Sequence, residues 1–152
     1  MKKSLCILLS AVLAMSFFTL PCSAVAAEES ANITYFEDGS YVIERIMDFQ
    51  SRASGTKTGA KEATYYESSG TAVWKAVLNG TFSYTGSSSS CTASSVSITI
   101  YNSSWYTISK SASKSGNTAY GSVTMGYKML GITVNEISKN LSLTCDANGN
   151  LS

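Results

Sequence analysis

Apolar and polar side chains alternate along most of this chain from residue 33 onward. Val96, Ile98 and Ile100, for example, are separated by Ser97 and Thr99. A period of two is typical of a strand with one buried face, whereas a helix would show a period of about 3.6 residues. Val, Ile, Thr and Tyr, which favour strands, supply much of the pattern. The sequence therefore predicts a chain built mainly of β-strands.

Turn-forming residues divide this pattern into short segments. Asp38 and Gly39 predict a hairpin over residues 33–46, and alternating stretches that end at Ile100 and resume at Trp105 predict a second hairpin. A helix is the alternative over residues 127–139, but Gly131 and the β-branched residues after it disfavour one. About seven to eight strands with polar turns predict an all-β fold, either an antiparallel β-sandwich or a small barrel.

The first 27 residues have the composition of a bacterial signal peptide. A cationic start and an apolar run over residues 5–20 precede a helix breaker and a small-residue cleavage signal. The residues of the cationic start, the helix breaker and the cleavage signal are, in chain order, Lys2, Lys3, Pro21, Ala24, Ala26 and Ala27. We expect cleavage after Ala26 or Ala27.

Two kinds of membrane attachment are alternatives to cleavage. A retained anchor would need the apolar run to span a bilayer, and the run is at the short end of that range. Cys22 would be the modified residue of a lipoprotein, but Pro21 occupies the place where such a signal has a small residue. We therefore expect a secreted protein, extracellular or loosely associated with the cell surface.

Charge limits the partners of the exported chain. The whole sequence has a formal net charge of +1, and loss of Lys2 and Lys3 makes it slightly negative. It has no dense Lys/Arg cluster, so we expect no nucleic-acid partner. We also expect no membrane partner after signal cleavage.

The mature chain, about 125 residues long, is suited to one compact domain. Residues 28–47 predict an N-terminal β-hairpin segment. Residues 48–60 have no large apolar side chain after Phe49 and predict an exposed loop or linker. Residues 61–152 predict the main, disulfide-linked β domain.

Cys91 and Cys145 are the cysteines that remain after signal cleavage. An exported protein meets an oxidising environment, so we expect the two to form a disulfide, worth about 4 kcal/mol in the chain-entropy model. Two free buried thiols are the alternative, because Gram-positive bacteria use exported disulfides sparingly. Two cysteines and no histidine leave the usual zinc ligand sets incomplete, so we predict neither a metal nor another cofactor.

The absence of histidine also restricts catalysis. Without it, Ser-His-Asp and Cys-His arrangements cannot form. A pair of carboxylates facing each other could still hydrolyse a glycan. The candidates for such a pair are Glu44, Asp48, Glu62, Glu67, Glu136 and Asp146. Solvated surface charge is the more economical interpretation, so we predict a protein that is not an enzyme.

A short motif near the C-terminus has the spacing of a calcium loop. Asp146, Asn148 and Asn150 match the start of such loops, where alternate oxygen ligands converge on the ion. Gly149 stands at the fourth position rather than the sixth, and no carboxylate follows in the sequence. Asn148 and Gly149 are better interpreted as a turn.

Aromatic residues offer a binding site for sugars, because exposed rings can stack on them while Ser, Thr and Asn bind their hydroxyls. The possible ligand-binding residues are Trp105, Tyr66, Tyr101 and Tyr106. Trp74 belongs to an apolar row, so we expect it in the hydrophobic core. Tyr65 and Tyr66 face opposite sides of one strand, so one of them should point outward.

Two segments carry a resemblance to a known group of proteins. The Y-x-x-D-G-S-Y hairpin over residues 35–41 and the closing L-S-L-T-C-D-A-N-G-N-L-S over residues 141–152 resemble small secreted single-domain proteins of Gram-positive Firmicutes, a family of unknown function. The resemblance implies export and a β fold, and it assigns no activity.

Three functions remain open on the sequence. The first is a non-catalytic extracellular module that binds a cell-wall or host glycan, or a protein. The alternatives are a secreted effector or bacteriocin-like toxin, and a carboxylate-dependent glycan hydrolase.

Overall fold

The computed structural model describes residues 31–49 and 55–152, and in these ranges the protein is all-β. The strands are β1 (Ala31–Tyr35), β2 (Tyr41–Phe49), β3 (Gly55–Tyr66), β4 (Ala72–Tyr84), β5 (Ser89–Ile100), β6 (Trp105–Ser115), β7 (Thr118–Met129) and β8 (Ile132–Thr144). The predicted signal peptide, residues 1–27, lies outside the described residues. Within the described ranges, no helix is long and apolar enough to cross a membrane.

The strands form two antiparallel sheets in simple chain order. One sheet has five strands in the order β1-β2-β3-β4-β5, and the other has three in the order β6-β7-β8. Each strand pairs with its sequence neighbour except at the step from β5 to β6, where the chain changes sheet. The all-β prediction is confirmed, and of the two architectures predicted the arrangement is sandwich-like rather than a closed barrel.

The inner faces of the two sheets share one hydrophobic core. The Trp105 ring of β6 packs on the Tyr65 ring of β3, with 5.3 Å between their centroids. Gly121 of β7 allows the two sheets to approach each other closely, because a Cβ there would lie 2.7 Å from Val96 Cγ2 and 3.2 Å from a Leu78 methyl. The buried residues of the core are Val42, Ala63, Tyr65, Val73, Trp74, Ala76, Leu78, Phe82, Cys91, Trp105, Ala119, Val123, Met125, Leu141, Leu143 and Cys145.

The N-terminal hairpin predicted over residues 33–46 is confirmed. β1 and β2 pair antiparallel, and Tyr35 lies opposite Tyr41. Gly39 supplies the turn with a φ of +80°, and its N–H donates to the Phe36 carbonyl at 3.1 Å. The helix considered over residues 127–139 does not form, since this stretch contains the end of β7, a turn and the start of β8.

The second predicted hairpin is wrong. Ile100 and Trp105 belong to different sheets: β5 pairs with β4, and β6 pairs with β7. The connecting residues lead the chain from the five-stranded sheet to the other sheet. The N–H groups of Tyr101 and Asn102 both donate to the Val73 carbonyl, at 2.8 and 3.1 Å. Alternation identifies strands but contains no information about which strand lies alongside.

The exposed loop expected at residues 48–60 is strand wherever the structure describes it. β2 continues to Phe49, and β3 begins at Gly55 rather than near residue 61. Lys57 is buried, with its ammonium 2.7 Å from the Asp48 carboxylate. Backbone pairing with β4 holds this stretch in the sheet even though its side chains are small or polar. The N-terminal hairpin is therefore continuous with the five-stranded sheet.

Candidate ligand-binding face

Three tyrosines form a row across one face of the five-stranded sheet. Tyr35 of β1 lies opposite Tyr41 of β2, and Tyr41 lies opposite Tyr66 of β3. Their ring centroids are 5.5 Å apart for the first pair and 5.0 Å for the second. We call Tyr35, Tyr41 and Tyr66 the tyrosine row. Its position follows from β-pleating, which puts directly paired residues on the same side of a sheet.

The rings of the tyrosine row differ in accessibility. Tyr41 and Tyr66 stack with 10° between their planes, so each covers one face of the other, and both are half-buried. Tyr35 lies on the edge strand and is 70% exposed. The row therefore presents one free ring and two supporting rings.

Tyr101 lies on the same face, beyond β4. Its N–H donates to Val73, the neighbour of Ala72, which is the β4 partner of Tyr66. The Glu62 carboxylate, and to a smaller extent Tyr101, raise the pKa of Lys75, so the Tyr101 side chain lies beside Lys75. Tyr101 is 53% exposed. A second accessible ring therefore stands on this side of the sheet.

Polar groups accompany the rings. Lys75 Nζ lies 3.1 Å from Glu62 Oε2, and the Thr64 hydroxyl donates to Glu62 Oε1 at 3.1 Å. Glu62 and Thr64 share the face of Tyr66 because they precede it by four and two residues on β3. Thr64 is buried, so this face combines exposed phenol rings with the partly exposed ion pair of Lys75 and Glu62.

The structure separates the four sequence-predicted ligand-binding residues. Tyr66 and Tyr101 come together on the face just described. Trp105 is only 6% exposed and packs on Tyr65 and Tyr127 in the core. Its ring is therefore unavailable as a sugar platform in this structure.

Tyr106 belongs to the outer face of the three-stranded sheet. Its ring covers Gly126, since a Cβ built there would lie 2.6 Å from the ring. Its hydroxyl hydrogen-bonds Thr133 Oγ1 at 2.5 Å, and Lys128 Nζ lies 4.1 Å from the ring centroid. It cannot act together with Tyr66 and Tyr101, because the outer faces of two packed sheets point in opposite directions.

Sequence reasoning placed Trp74 in the core and one of Tyr65 and Tyr66 outside, and both expectations are confirmed. Trp74 is fully buried and stacks on the buried Tyr65, while Tyr66 belongs to the tyrosine row. The Trp74 indole N–H has no hydrogen-bond partner among the described residues. Tyr35 and Tyr41 are not among the ligand-binding residues that the sequence predicts. The signal that could have found them is their symmetric position around the Asp-Gly turn.

Most of the candidate carboxylates have separate partners, although, after burial, Asp146 and Asp48 both contribute to the raised pKa of Cys145. Glu44 lies 3.3 Å from Lys61 and also contacts Lys139, while Glu67 accepts from the Asn102 amide at 3.4 Å. Asp48 and Glu62 have the lysine partners given above, and Glu136 is exposed on β8. Among the described residues, a cavity of about 310 Å³ contains no carboxylate, and a second of about 160 Å³ contains Glu44 alone. Neither cavity brings two of the six together.

The Asp146 motif forms a turn, as its glycine position predicted. Asp146 Oδ1 accepts from the backbone N–H groups of Asn148 and Asn150, each at 2.8 Å. Oδ2 accepts from the Asn150 side-chain amide at 2.8 Å, and these bonds, that of the Asn150 amide first, lower the pKa of Asp146. Gly149 has a φ of +87°. The carboxylate thus bonds to donors of its own turn.

Cys91 and Cys145 flank the turn between β6 and β7. The Cys91 N–H donates to the Gly116 carbonyl at 2.8 Å, and the Cys145 N–H donates to the Asn117 carbonyl at 3.0 Å. Both are buried free thiols in the structure, and burial raises the pKa of each. Because they donate to adjacent residues, Gly116 and Asn117, the two cysteines lie on either side of the same short turn. The predicted disulfide therefore remains a proposal.

Comparison with known proteins gives this chain no relative: no family model, no curated protein and no solved structure matches it.

Proposed function

We propose that this protein is a non-catalytic extracellular module that binds a glycan through the tyrosine face. We define this face as the tyrosine row together with Tyr101 and Lys75. The observation that carries the proposal is that one face of the sheet has two accessible rings, Tyr35 and Tyr101, together with the stacked, half-buried pair Tyr41 and Tyr66. A rigid aromatic surface loses little conformational entropy on binding.

Polar chemistry on the same face favours a glycan over a purely apolar ligand. Lys75 and Glu62 form a partly exposed ion pair, and each group keeps hydrogen-bonding capacity beyond that contact. Sugar hydroxyls both donate and accept, so they suit a surface that offers an ammonium and a carboxylate beside aromatic rings. Cell-wall and host glycans share this chemistry.

The test is co-sedimentation of the exported protein with insoluble peptidoglycan and a panel of insoluble polysaccharides. We expect saturable pelleting with at least one polymer. Tyr35→Ala and Tyr101→Ala should each weaken it about tenfold, which corresponds to about 1.4 kcal/mol. The matched control is Tyr120→Ala, since Tyr120 is 43% exposed on the three-stranded sheet.

Pelleting that persists in both tyrosine-face variants would sink the proposed site. Pelleting with no polymer would sink the glycan proposal and direct the search to a protein ligand. Circular dichroism of each variant checks that it remains folded.

We also propose that Cys91 and Cys145 form a disulfide after export. Support comes from their burial and from their hydrogen bonds to adjacent residues of the β6–β7 turn. The intact mass of unreduced protein from the culture medium should be lower by two hydrogens, and a denatured sample should resist alkylation until it is reduced. Alkylation of both cysteines in unreduced, denatured protein would contradict the proposal.

A further inference from the structure

The end of the β7–β8 hairpin is an apolar projection. We define the hairpin tip as Met129, Leu130, Gly131, Ile132 and Val134. Leu130 is 97% exposed, Ile132 is 68% exposed, and Met129 and Val134 are each 54% exposed. Contiguous exposed apolar side chains on a small protein mark a site of interaction.

Leu130 also has a backbone conformation that does not suit leucine. Its φ is +52° and that of Gly131 is +81°, and the flanking residues Met129 and Ile132 pair with each other. Two-residue hairpin turns with positive φ at both positions favour Asn-Gly or Asp-Gly, because a leucine Cβ in the left-handed region crowds its own backbone. The stability of the fold does not explain a strained leucine whose side chain lies in solvent.

Strand pairing places the tip away from Phe49 and Gly55, where two of the described segments end. Phe49 pairs with Thr58 and Gly55 pairs with Tyr84, at one end of the five-stranded sheet. The tip extends from Tyr127 at the other end, where the Lys128 N–H donates to the Ser104 carbonyl at 2.9 Å. No described strand covers the tip.

The base of the tip is cationic and aromatic. Lys128 lies over the Tyr106 ring, and the Tyr106 hydroxyl bonds to Thr133. The sequence has no Asp or Glu between Tyr127 and Asn135. Lysine and tyrosine next to an apolar segment suit the headgroup region of a bilayer, where the charge and hydroxyl stay hydrated while apolar neighbours enter the acyl layer.

We propose that the hairpin tip inserts into the surface layer of a lipid bilayer. Leu130 lies two residues beyond Lys128, or about 7 Å along a strand. This length matches the insertion depth of interfacial segments, about 5–10 Å. Val134 lies at a bulge, and beyond it Lys128 pairs with Thr133 and Met129 with Ile132, so the hairpin is paired from the bulge to the turn, as a lipid environment requires. A convex tip can enter a bilayer directly. A protein partner, in contrast, would have to supply a preformed pocket for it.

The experiment is flotation of the exported protein with phosphatidylcholine vesicles, with and without phosphatidylglycerol. Leu130→Asn removes the apolar side chain and creates the preferred Asn-Gly turn. We expect this variant to melt at the same or a higher temperature and to bind vesicles at least tenfold more weakly. Ile132→Ser should also weaken binding. Phe49→Ser, which changes a 50% exposed side chain at the opposite end of the molecule, should bind as the parent does.

Absence of binding to both vesicle types, or unchanged binding by Leu130→Asn and Ile132→Ser, would overturn the proposal. A lower melting temperature for Leu130→Asn would contradict the argument from backbone strain. Equal binding to neutral and anionic vesicles would show that apolar insertion suffices, whereas preference for anionic vesicles would show that Lys128 contributes. The tyrosine-face variants act on polysaccharide and the tip variants on vesicles, so either proposal can fail alone.

Discussion

Glu44 shows how one residue links the two sheets. It lies on β2 and contacts Lys61 of β3 and Lys139 of β8, and its side chain is only 12% exposed. Burial opposes ionisation, but the two ammonium groups outweigh it and lower the pKa of Glu44. A carboxyl whose pKa is lowered by folding stabilises the protein above its unfolded-state pKa, and this stabilisation is lost as the pH falls through the folded-state value.

We therefore predict that Glu44→Gln lowers the free energy of unfolding at pH 7 by about 1.5–3 kcal/mol, the range for hydrogen bonds to charged groups. The difference from the parent should narrow as the pH falls below about 4, the ordinary range of a glutamate. Urea denaturation at pH 7 and pH 3 measures both values. The control is Glu136→Gln, at an exposed position. An equal loss at both pH values would show that the ion pairs are not the cause.

At the scale of elements, some turns have the backbone conformation that their residues favour, and one does not. Asp38-Gly39 and Asn148-Gly149 place glycine at positive φ, as their sequences predict. Leu130 also has positive φ, which its sequence does not favour. The expectation of no membrane partner rested on net charge, which carries no information about a short apolar turn. The hairpin tip became recognisable only when pairing showed that both flanking strands end there.

At the scale of the whole molecule, the close approach of the two sheets depends on small side chains where they meet. Gly121 lies against Val96 and Leu78, so any Cβ at this position displaces core side chains. Protein interiors are packed as densely as organic crystals and have little room to relax.

We predict that Gly121→Val lowers the free energy of unfolding by about 1–3 kcal/mol, the usual cost of overpacking. The matched control is Ser122→Val, because Ser122 is the next residue on β7 and faces away from the core, where valine suits a strand. Urea denaturation of both variants measures the difference. A Gly121→Val variant as stable as the parent would show that the sheets can separate slightly without cost.

Much of the fold could be predicted from local pattern. Alternation located most strands, the Asp-Gly turn located the first hairpin, and Trp74 was assigned to the core. The start of β3 was missed because Lys57 and its neighbours lack alternation, and only pairing with β4 shows that they are strand. The candidate site was half predicted, since Tyr66 and Tyr101 lie on the tyrosine face while Trp105 is core and Tyr106 is on the other sheet.

The sequence by itself determined the all-β character and the turn at Asp146, because side-chain period and turn chemistry are local properties of the chain. It also determined that one of Tyr65 and Tyr66 faces outward, since pleating is strictly alternate. Only the tertiary structure decided that β5 and β6 lie in different sheets and that Trp105 is buried in the core between the two sheets. It also aligned Tyr35, Tyr41 and Tyr66 across three strands. Those outcomes depend on register and sheet packing, which join residues far apart in sequence and leave no local pattern to read.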